Sequence, residues 1–283
     1  MENQVTQLLK AMVKPDYTAC SYAFMQNGKI VCADAIGVID KINNQPITTD
    51  CTFNVCSISK IYCTVCIMQL VDEGLIQLED KVADILPEFT MKDERYKDIT
   101  VRMCLDHSSG LPGTQWKHFS VNTTSKFDYY SEVLNYLSKS TLKADPGTYS
   151  TYCNDGFTLA EMVVSKVRNM NYEDVLRKYI TEKIGAKSTN TTYMIHSDYP
   201  LVSEGKKPKE YFPIQGAGGI TTSMIDLCKF GQLFLEPNSI ISEESKALMA
   251  KSWGTTFLES DHHGREYQAL TDYGQWNGNQ NAL

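Results

Sequence analysis

The sequence has no long hydrophobic run, no basic excess and no leader-like beginning. None of its apolar stretches approaches the roughly 18 consecutive residues that a membrane-spanning helix needs. The 283 residues carry a formal net charge of −7, which argues against non-specific nucleic-acid binding. The N-terminal residues show no basic stretch followed by an apolar core, so we expect no signal peptide. These absences predict a protein without nucleic-acid or membrane partners, and they favour a cytoplasmic location unless a leader was removed.

The cysteines have no framework spacing. There are nine of them, an odd number scattered along the chain, which fits a reducing compartment better than a disulfide scaffold. Cys63 and Cys66 form a C-x-x-C pair, but they fall inside a predicted apolar helix, and no second such pair or histidine pair accompanies them. We interpret both as small buried hydrophobic residues, and we predict neither a metal site nor a cofactor.

The N-terminal part of the chain contains helix and hairpin signals. Residues 3–13 have the spacing of an amphipathic helix. The apolar runs 21–26 and 29–37 flank Asn27-Gly28, which is the strongest short signal for a β-hairpin. A second helix is predicted over 57–72, with apolar residues spaced along one face.

The middle of the chain has a different sequence pattern. Residues 76–210 show turn signals between short helical stretches and no strong alternating strand. Strand and turn signals return at 216–220, and Ser223 and Ser242 begin capped helices. We therefore predict an α/β domain made of 1–75 and 211–283, interrupted by a mostly helical inserted domain over 76–210. The helices predicted in the insert are 81–86, 101–105, 129–138, 158–168 and 172–184.

Ser57 and Lys60 are the residues most informative about function. They are three positions apart and therefore share one face of a helix. If Ser57 opens the predicted helix, the lysine amine lies beside the hydroxyl, where it can take up its proton. The free N–H groups of the first turn face the same point. This is the layout of a serine nucleophile for acyl transfer, and the alternative is a serine that merely caps the helix.

The same S-x-x-K spacing occurs at Ser140/Lys143 and at Ser203/Lys206. Both pairs lie in polar, turn-like surroundings with no long apolar helix after them, so we interpret them as solvated surface residues. Lys60 differs, because the apolar helix carries it toward the interior, where a lysine is either paired or readily deprotonated.

A second group of polar residues, Tyr152-Cys153-Asn154, lies between two turn signals and is predicted to occupy a loop before a helix at 158. A tyrosine beside a lysine can relay a proton. The amide of Asn154 can donate to a substrate carbonyl and accept from a lysine. The alternative is a packed tyrosine next to an asparagine in a turn.

Several segments resemble, in the same order, the serine β-lactamase and penicillin-binding-protein superfamily, and most closely its class C β-lactamase, esterase and D-aminopeptidase branch. They are Phe53 to Lys60, Leu70 to Gly74, Leu78 to Val82, Ile99 to Pro112, Pro146 to Asn154 and Gly218 to Leu227. The resemblance implies an α/β (α+β) fold of the β-lactamase/transpeptidase type, with an antiparallel sheet flanked by helices and a mostly helical inserted lobe.

The resemblance also implies roles for individual residues. Ser57 would be the acylated nucleophile, Lys60 and Tyr152 would share the base and acid roles, and Asn154 would bind substrate. His107 belongs to a signature segment of the family, and we interpret it as a residue that organises the lobe rather than as a base.

The third motif of the family, K-T-G or H-x-G, should follow a strand that contains Tyr-Gly. Residues 272–276 resemble that strand, but no such motif comes after them. His262-His263-Gly264 fits H-x-G, yet it precedes the strand, and we interpret it as a loop. The C-terminal strands are therefore expected to be incomplete, which leaves an exposed sheet face. Three alternatives stay open: a truncated product, a partner or second copy that covers the face, or a rearranged ending.

The sequence thus predicts a serine hydrolase that forms an acyl-enzyme with a β-lactam, an ester or a D-amino-acid peptide. The alternative is a binding or regulatory relative that is not catalytic, or that is acylated without turnover.

Overall fold

The computed structural model of the chain describes residues 4–12, 19–39, 44–115, 117–118, 120–121, 128–191 and 211–251. Helix α1 (Gln4–Met12) precedes a hairpin of β1 (Ala19–Gln26) and β2 (Lys29–Gly37). Asn27 and Gly28 both have positive φ angles, 50° and 71°, as the tight two-residue hairpin turn requires. The predicted helix and hairpin are confirmed.

Helix α2 (Ser59–Asp72) is buried on every side over most of its length. All residues from Ser59 to Leu70 are buried, although the helix is rich in β-branched residues, which are not strong helix formers. Packing against other helices stabilises it in spite of this propensity. The predicted apolar helix is confirmed, and its burial extends beyond the face on which apolar residues were spaced, because neighbouring elements enclose the whole circumference. Gly74, with a φ of 69°, follows the end of the helix in the left-handed conformation that favours glycine.

The other described helices pack against α2, against a helix that itself packs on α2, or against the hairpin. None of the described helices has the length and apolar character needed to cross a membrane. Their bounds are α3 (Val82–Ile85), α4 (Val101–Leu105), α5 (Tyr129–Leu137), α6 (Asn154–Arg168), α7 (Tyr172–Leu176), α8 (Gln215–Gly218), α9 (Met224–Gln232) and α10 (Glu243–Ala250).

Helix boundaries match the prediction in part. Ser223 and Ser242 cap α9 and α10 through their side chains, as predicted. Helix α6 begins at residue 154 and not at 158, so Asn154 belongs to the helix and not to a loop before it. The helix predicted over 172–184 is shorter, because α7 continues as a π-helical turn, Arg177–Thr181.

A small antiparallel sheet lies beside α2. Its strands β3 (Phe53–Asn54), β4 (Asn190–Thr191) and β5 (Ile220–Thr222) are ordered β3-β5-β4. Strand β4 lies inside the segment 76–210. No strand was predicted there, because two residues are too few to show an alternating pattern. The division into two domains stays a prediction.

Candidate active site

Hydrogen bonds between the segment before α2 and the start of β5 determine where Ser57 lies. The N–H of Val55 donates to Ile220 O (3.0 Å), and the N–H of Ile220 donates to Ser59 Oγ (3.0 Å). Ser57 occupies a 3₁₀ turn, Cys56–Ile58, directly before α2, so the α-helix begins two residues later than predicted. No side chain caps this turn or the helix, which makes the interpretation of Ser57 as a helix cap wrong.

Lys60 is fully buried, with 0% of its surface exposed, and its ammonium group meets three oxygen atoms. Nζ donates to Ser57 Oγ (3.0 Å), to the Tyr152 hydroxyl (2.5 Å) and to the backbone carbonyl of Ala217 (2.7 Å). An ammonium has three N–H donors, and each of them therefore has an acceptor. These contacts offset the free-energy cost of burying the charge.

Tyr152 is held in place by the loop that follows α4. The N–H of Thr151 donates to His107 O (2.9 Å), and the N–H of Cys153 donates to His107 Nδ1 (3.0 Å). The rings of His107 and Tyr152 are also in contact, with 4.7 Å between their centroids. His107 thus contacts the residues on both sides of Tyr152 as well as its ring. These contacts agree with the interpretation of His107 as an organising residue.

The three polar groups form a closed triangle, because the hydroxyls of Ser57 and Tyr152 are hydrogen-bonded to each other. Lys60 donates to both oxygens, and in the bond between the two hydroxyls either oxygen can be the donor. A proton that leaves Ser57 Oγ therefore has an acceptor within direct reach, as general-base catalysis requires.

Asn154 is bonded away from this triangle. Its Nδ2 donates to Thr114 Oγ1 (3.2 Å). Its Oδ1 is buried and accepts no hydrogen bond from the described residues, so the bond expected from Lys60 is not formed. The structure brings Ser57, Lys60 and Tyr152 into contact and leaves Asn154 with an unused acceptor.

The cysteines of the C-x-x-C pair are buried in α2, as predicted. Burial raises the pKa of the Cys63 thiol well above its usual range and raises the pKa of Cys66 to about 12. Both thiols are therefore neutral near pH 7 and pack as apolar groups. Among the described residues, no group of three or more His, Cys, Asp or Glu side chains is placed to hold a metal ion.

The other sequence candidates fall into two groups. Ser140 donates its hydroxyl to Tyr136 O (2.8 Å), and Lys143 is exposed, so this S-x-x-K pair builds no second site. The pair Ser203/Lys206, the H-x-G triplet at 262–264 and the Tyr-Gly segment at 272–276 lie outside the described residues.

Two functional contacts escaped the sequence analysis. The carbonyl of Ala217 is a backbone group, and the identity of the residue does not predict its role. Glu161 is fully buried on α6 and accepts a hydrogen bond from the N–H of Gly216 (2.6 Å), next to Ala217. A single acid in the otherwise apolar stretch 159–164 was a signal that could have pointed to it.

The chain belongs to the beta-lactamase family, since residues 5–279 match the family model described as Beta-lactamase. It is 25% identical over 244 residues to penicillin-binding protein 4* of Bacillus subtilis (strain 168), which covers 78% of this chain and 53% of that protein. The chain spans about half the length of the curated relatives it matches. The superfamily includes serine hydrolases.

Solved structures show the same fold. EstCE1, a hydrolase with promiscuous acyltransferase activity, matches with a TM-score of 0.72 at 17% identity, over 94% of this chain and 81% of that one. The beta-lactamase/D-alanine carboxypeptidase from Pseudomonas syringae matches with a TM-score of 0.70 at 19% identity, over 88% and 69% of the two chains. The predicted superfamily and its β-lactamase/transpeptidase-like fold are confirmed.

Proposed function

We propose that this protein is a serine hydrolase that acts through an acyl-enzyme, with Ser57 as the nucleophile. The observation that carries the proposal is the mutual contact of Ser57, Lys60 and Tyr152. A serine hydroxyl is a weak nucleophile unless a base takes its proton. The buried lysine and the tyrosine supply such a base within hydrogen-bond distance.

In the proposed first step, Ser57 Oγ attacks the substrate carbonyl carbon while its proton passes to the Tyr152–Lys60 pair, which begins as a phenolate beside an ammonium or as a phenol beside a free amine. The pair returns that proton to the leaving nitrogen or oxygen as the bond to the carbonyl carbon breaks. In the second step, a water molecule gives a proton to the same pair and attacks the acyl-enzyme. The acid is released, and the proton returns to Ser57 Oγ.

The proposed substrates are small molecules or short peptides with an acyl carbonyl that Ser57 can attack: a β-lactam, an ester or a D-amino-acid peptide. The names of the relatives and neighbours support this range of chemistry. The resemblance of the segment 146–154 to the family supports the proposed role of Asn154 in substrate binding. The proposed steps draw their proton transfers from side chains alone and need no cofactor.

A cytoplasmic location is part of the proposal. All nine cysteines lie in the described segments, and no two of them form a disulfide. Proteins of oxidising compartments commonly carry disulfides, whereas cytosolic proteins keep their thiols reduced.

The test is covalent labelling by a fluorescent penicillin, measured on gels and by intact mass. We expect one label on the wild type, none on Ser57→Ala, and wild-type labelling of Ser140→Ala, which removes the serine of another S-x-x-K pair. Equal labelling of wild type and Ser57→Ala would refute the nucleophile. Steady hydrolysis of nitrocefin or p-nitrophenyl acetate supports turnover, whereas a stable adduct without product shows a protein that is acylated but does not hydrolyse.

A further inference from the structure

The carbonyl of Ala217, which accepts from Lys60, belongs to a single helical turn, α8. A buried acid outside the triangle holds this turn. Oε2 of Glu161 accepts from the N–H of Gly216 (2.6 Å), and its Oε1 accepts from the hydroxyl of Tyr130 (2.5 Å). The carboxyl group thus joins α5 and α6 to the turn that faces Lys60.

We propose that Glu161 is a positioning residue for the reaction: it holds α8 so that the Ala217 carbonyl orients the amine of Lys60 toward Ser57 and Tyr152. This inference rests on the proposed function, in which Lys60 moves protons. Glu161 acts through the turn and touches none of the reacting atoms named in that mechanism.

Close packing supports the proposal. A Cβ atom added to Gly216 would lie 3.1 Å from Cys63 Sγ and 3.2 Å from both Cβ and Oε2 of Glu161. The turn therefore fits tightly between α2 and α6, and it cannot move closer to either helix. If it moves away, the N–H of Gly216 loses its acceptor in a buried site, which is unfavourable.

Hydrogen bonding decides which side chains can replace Glu161. The N–H of Gly216 is a donor in every state, whereas the hydroxyl of Tyr130 can both donate and accept. A carboxylate, a neutral carboxyl and a glutamine amide can all accept from Gly216 and still bond to Tyr130. Leucine has a similar size but offers no acceptor. Glu161→Gln and Glu161→Leu therefore form a matched pair.

The test uses a fluorophosphonate probe on the full chain. The first-order rate of labelling (kinact) and the half-saturating probe concentration (KI) are measured for the fraction that reaches complete labelling. We expect Glu161→Gln to stay within about threefold of the wild type. In Glu161→Leu we expect kinact to fall by about ten- to a hundredfold, since small misplacements of catalytic groups have effects of this size, while KI is unchanged. Loss of folded protein alone would lower the labelled fraction and leave kinact as it is.

Equal kinact values in wild type and Glu161→Leu would overturn the proposal, and so would an equally large fall in Glu161→Gln. Gly216→Ala, whose Cβ would crowd Cys63 and Glu161 at 3.1–3.2 Å, is the second variant and should lower kinact in the same direction. Amide hydrogen exchange of residues 215–218 gives a readout without activity. We expect it to be at least tenfold faster in Glu161→Leu than in Glu161→Gln, and equal rates would contradict the contact. A wild type that takes no label would refute the proposed function, while the exchange data would still decide the contact.

Discussion

The buried carboxyl of Glu161 predicts that the protein loses stability as the pH rises. Burial raises the pKa of Glu161 from 4.5 to about 8. Between these values the folded state holds a proton that the unfolded state has released. The stabilisation that the protonated Glu161 carboxyl gives the folded state is therefore fully present below about pH 4.5 and is lost as the pH rises through about 8.

The size of the effect follows from the single proton involved. One bound proton changes the free energy of unfolding by about 1.4 kcal/mol per pH unit. A change of 1 kcal/mol moves the Tm of a chain of this size by about 2–4 °C. Glu161 alone should therefore lower the Tm by about 3–6 °C for each pH unit between roughly pH 5 and pH 7.5.

The assay is thermal denaturation of wild type and Glu161→Gln at pH 5, 6, 7 and 8. Glutamine keeps both hydrogen-bond partners and has no proton to lose, so the difference between the two Tm values cancels other titrating groups. We expect the wild type to lose stability relative to Glu161→Gln with every step in pH. Glu244→Gln, at an exposed position of α10, is the control and should run parallel to the wild type. Parallel curves for wild type and Glu161→Gln would refute the reasoning.

Three further substitutions test the site and its support. Lys60→Met should slow Ser57 labelling by about 10²–10⁴-fold. It should change the Tm little, because removal of a buried ammonium offsets the loss of the donor to the Ala217 carbonyl. Undiminished labelling would exclude Lys60 as a base. His107→Ala leaves the N–H of Cys153 without its acceptor. It should lower the urea-derived free energy of unfolding by about 1–3 kcal/mol and should also slow the labelling of Ser57. An unchanged labelling rate would mean that His107 does not position Tyr152. Gly110→Ala places a Cβ 2.3 Å from Ala144 O at a φ of 72°. Gly74→Ala is the control, because Gly74 has a similar φ of 69° but no atom within 4 Å of the added Cβ. Gly110→Ala should therefore lower the free energy of unfolding more than Gly74→Ala, and similar losses would contradict the overlap.

Much of the site could be predicted because its chemistry depends on residue types at short spacing. Ser57 and Lys60 are three residues apart on consecutive turns, and Tyr152 was recognisable from the turn signals around it. Their mutual contact involves residues more than ninety positions apart, and only the fold determines such a distance. The Ala217 carbonyl could not be predicted, because its role belongs to the backbone and not to a side chain.

A misplaced helix boundary and an unpredicted strand have the same physical origin, which is tertiary packing that the local sequence does not encode. Asn154-Asp155-Gly156 has the composition of a turn, yet all three residues are helical. A Cβ on Gly156 would lie 3.1 Å from Cys104 O, so a glycine there lets α6 approach α4 closely. Strand β4 exists because its two residues pair with β5, and so short a segment has no pattern of its own.

The peptide that carries a fluorophosphonate adduct identifies the nucleophile. The labelled protein is digested and the modified residue is located by tandem mass spectrometry, for wild type, Ser57→Ala and Tyr152→Phe. If the triangle of Ser57, Lys60 and Tyr152 does the chemistry, the adduct lies on Ser57, forms much more slowly in Tyr152→Phe and is absent from Ser57→Ala. An adduct on any other residue, or labelling of Tyr152→Phe at the wild-type rate, would show that these three groups do not act together.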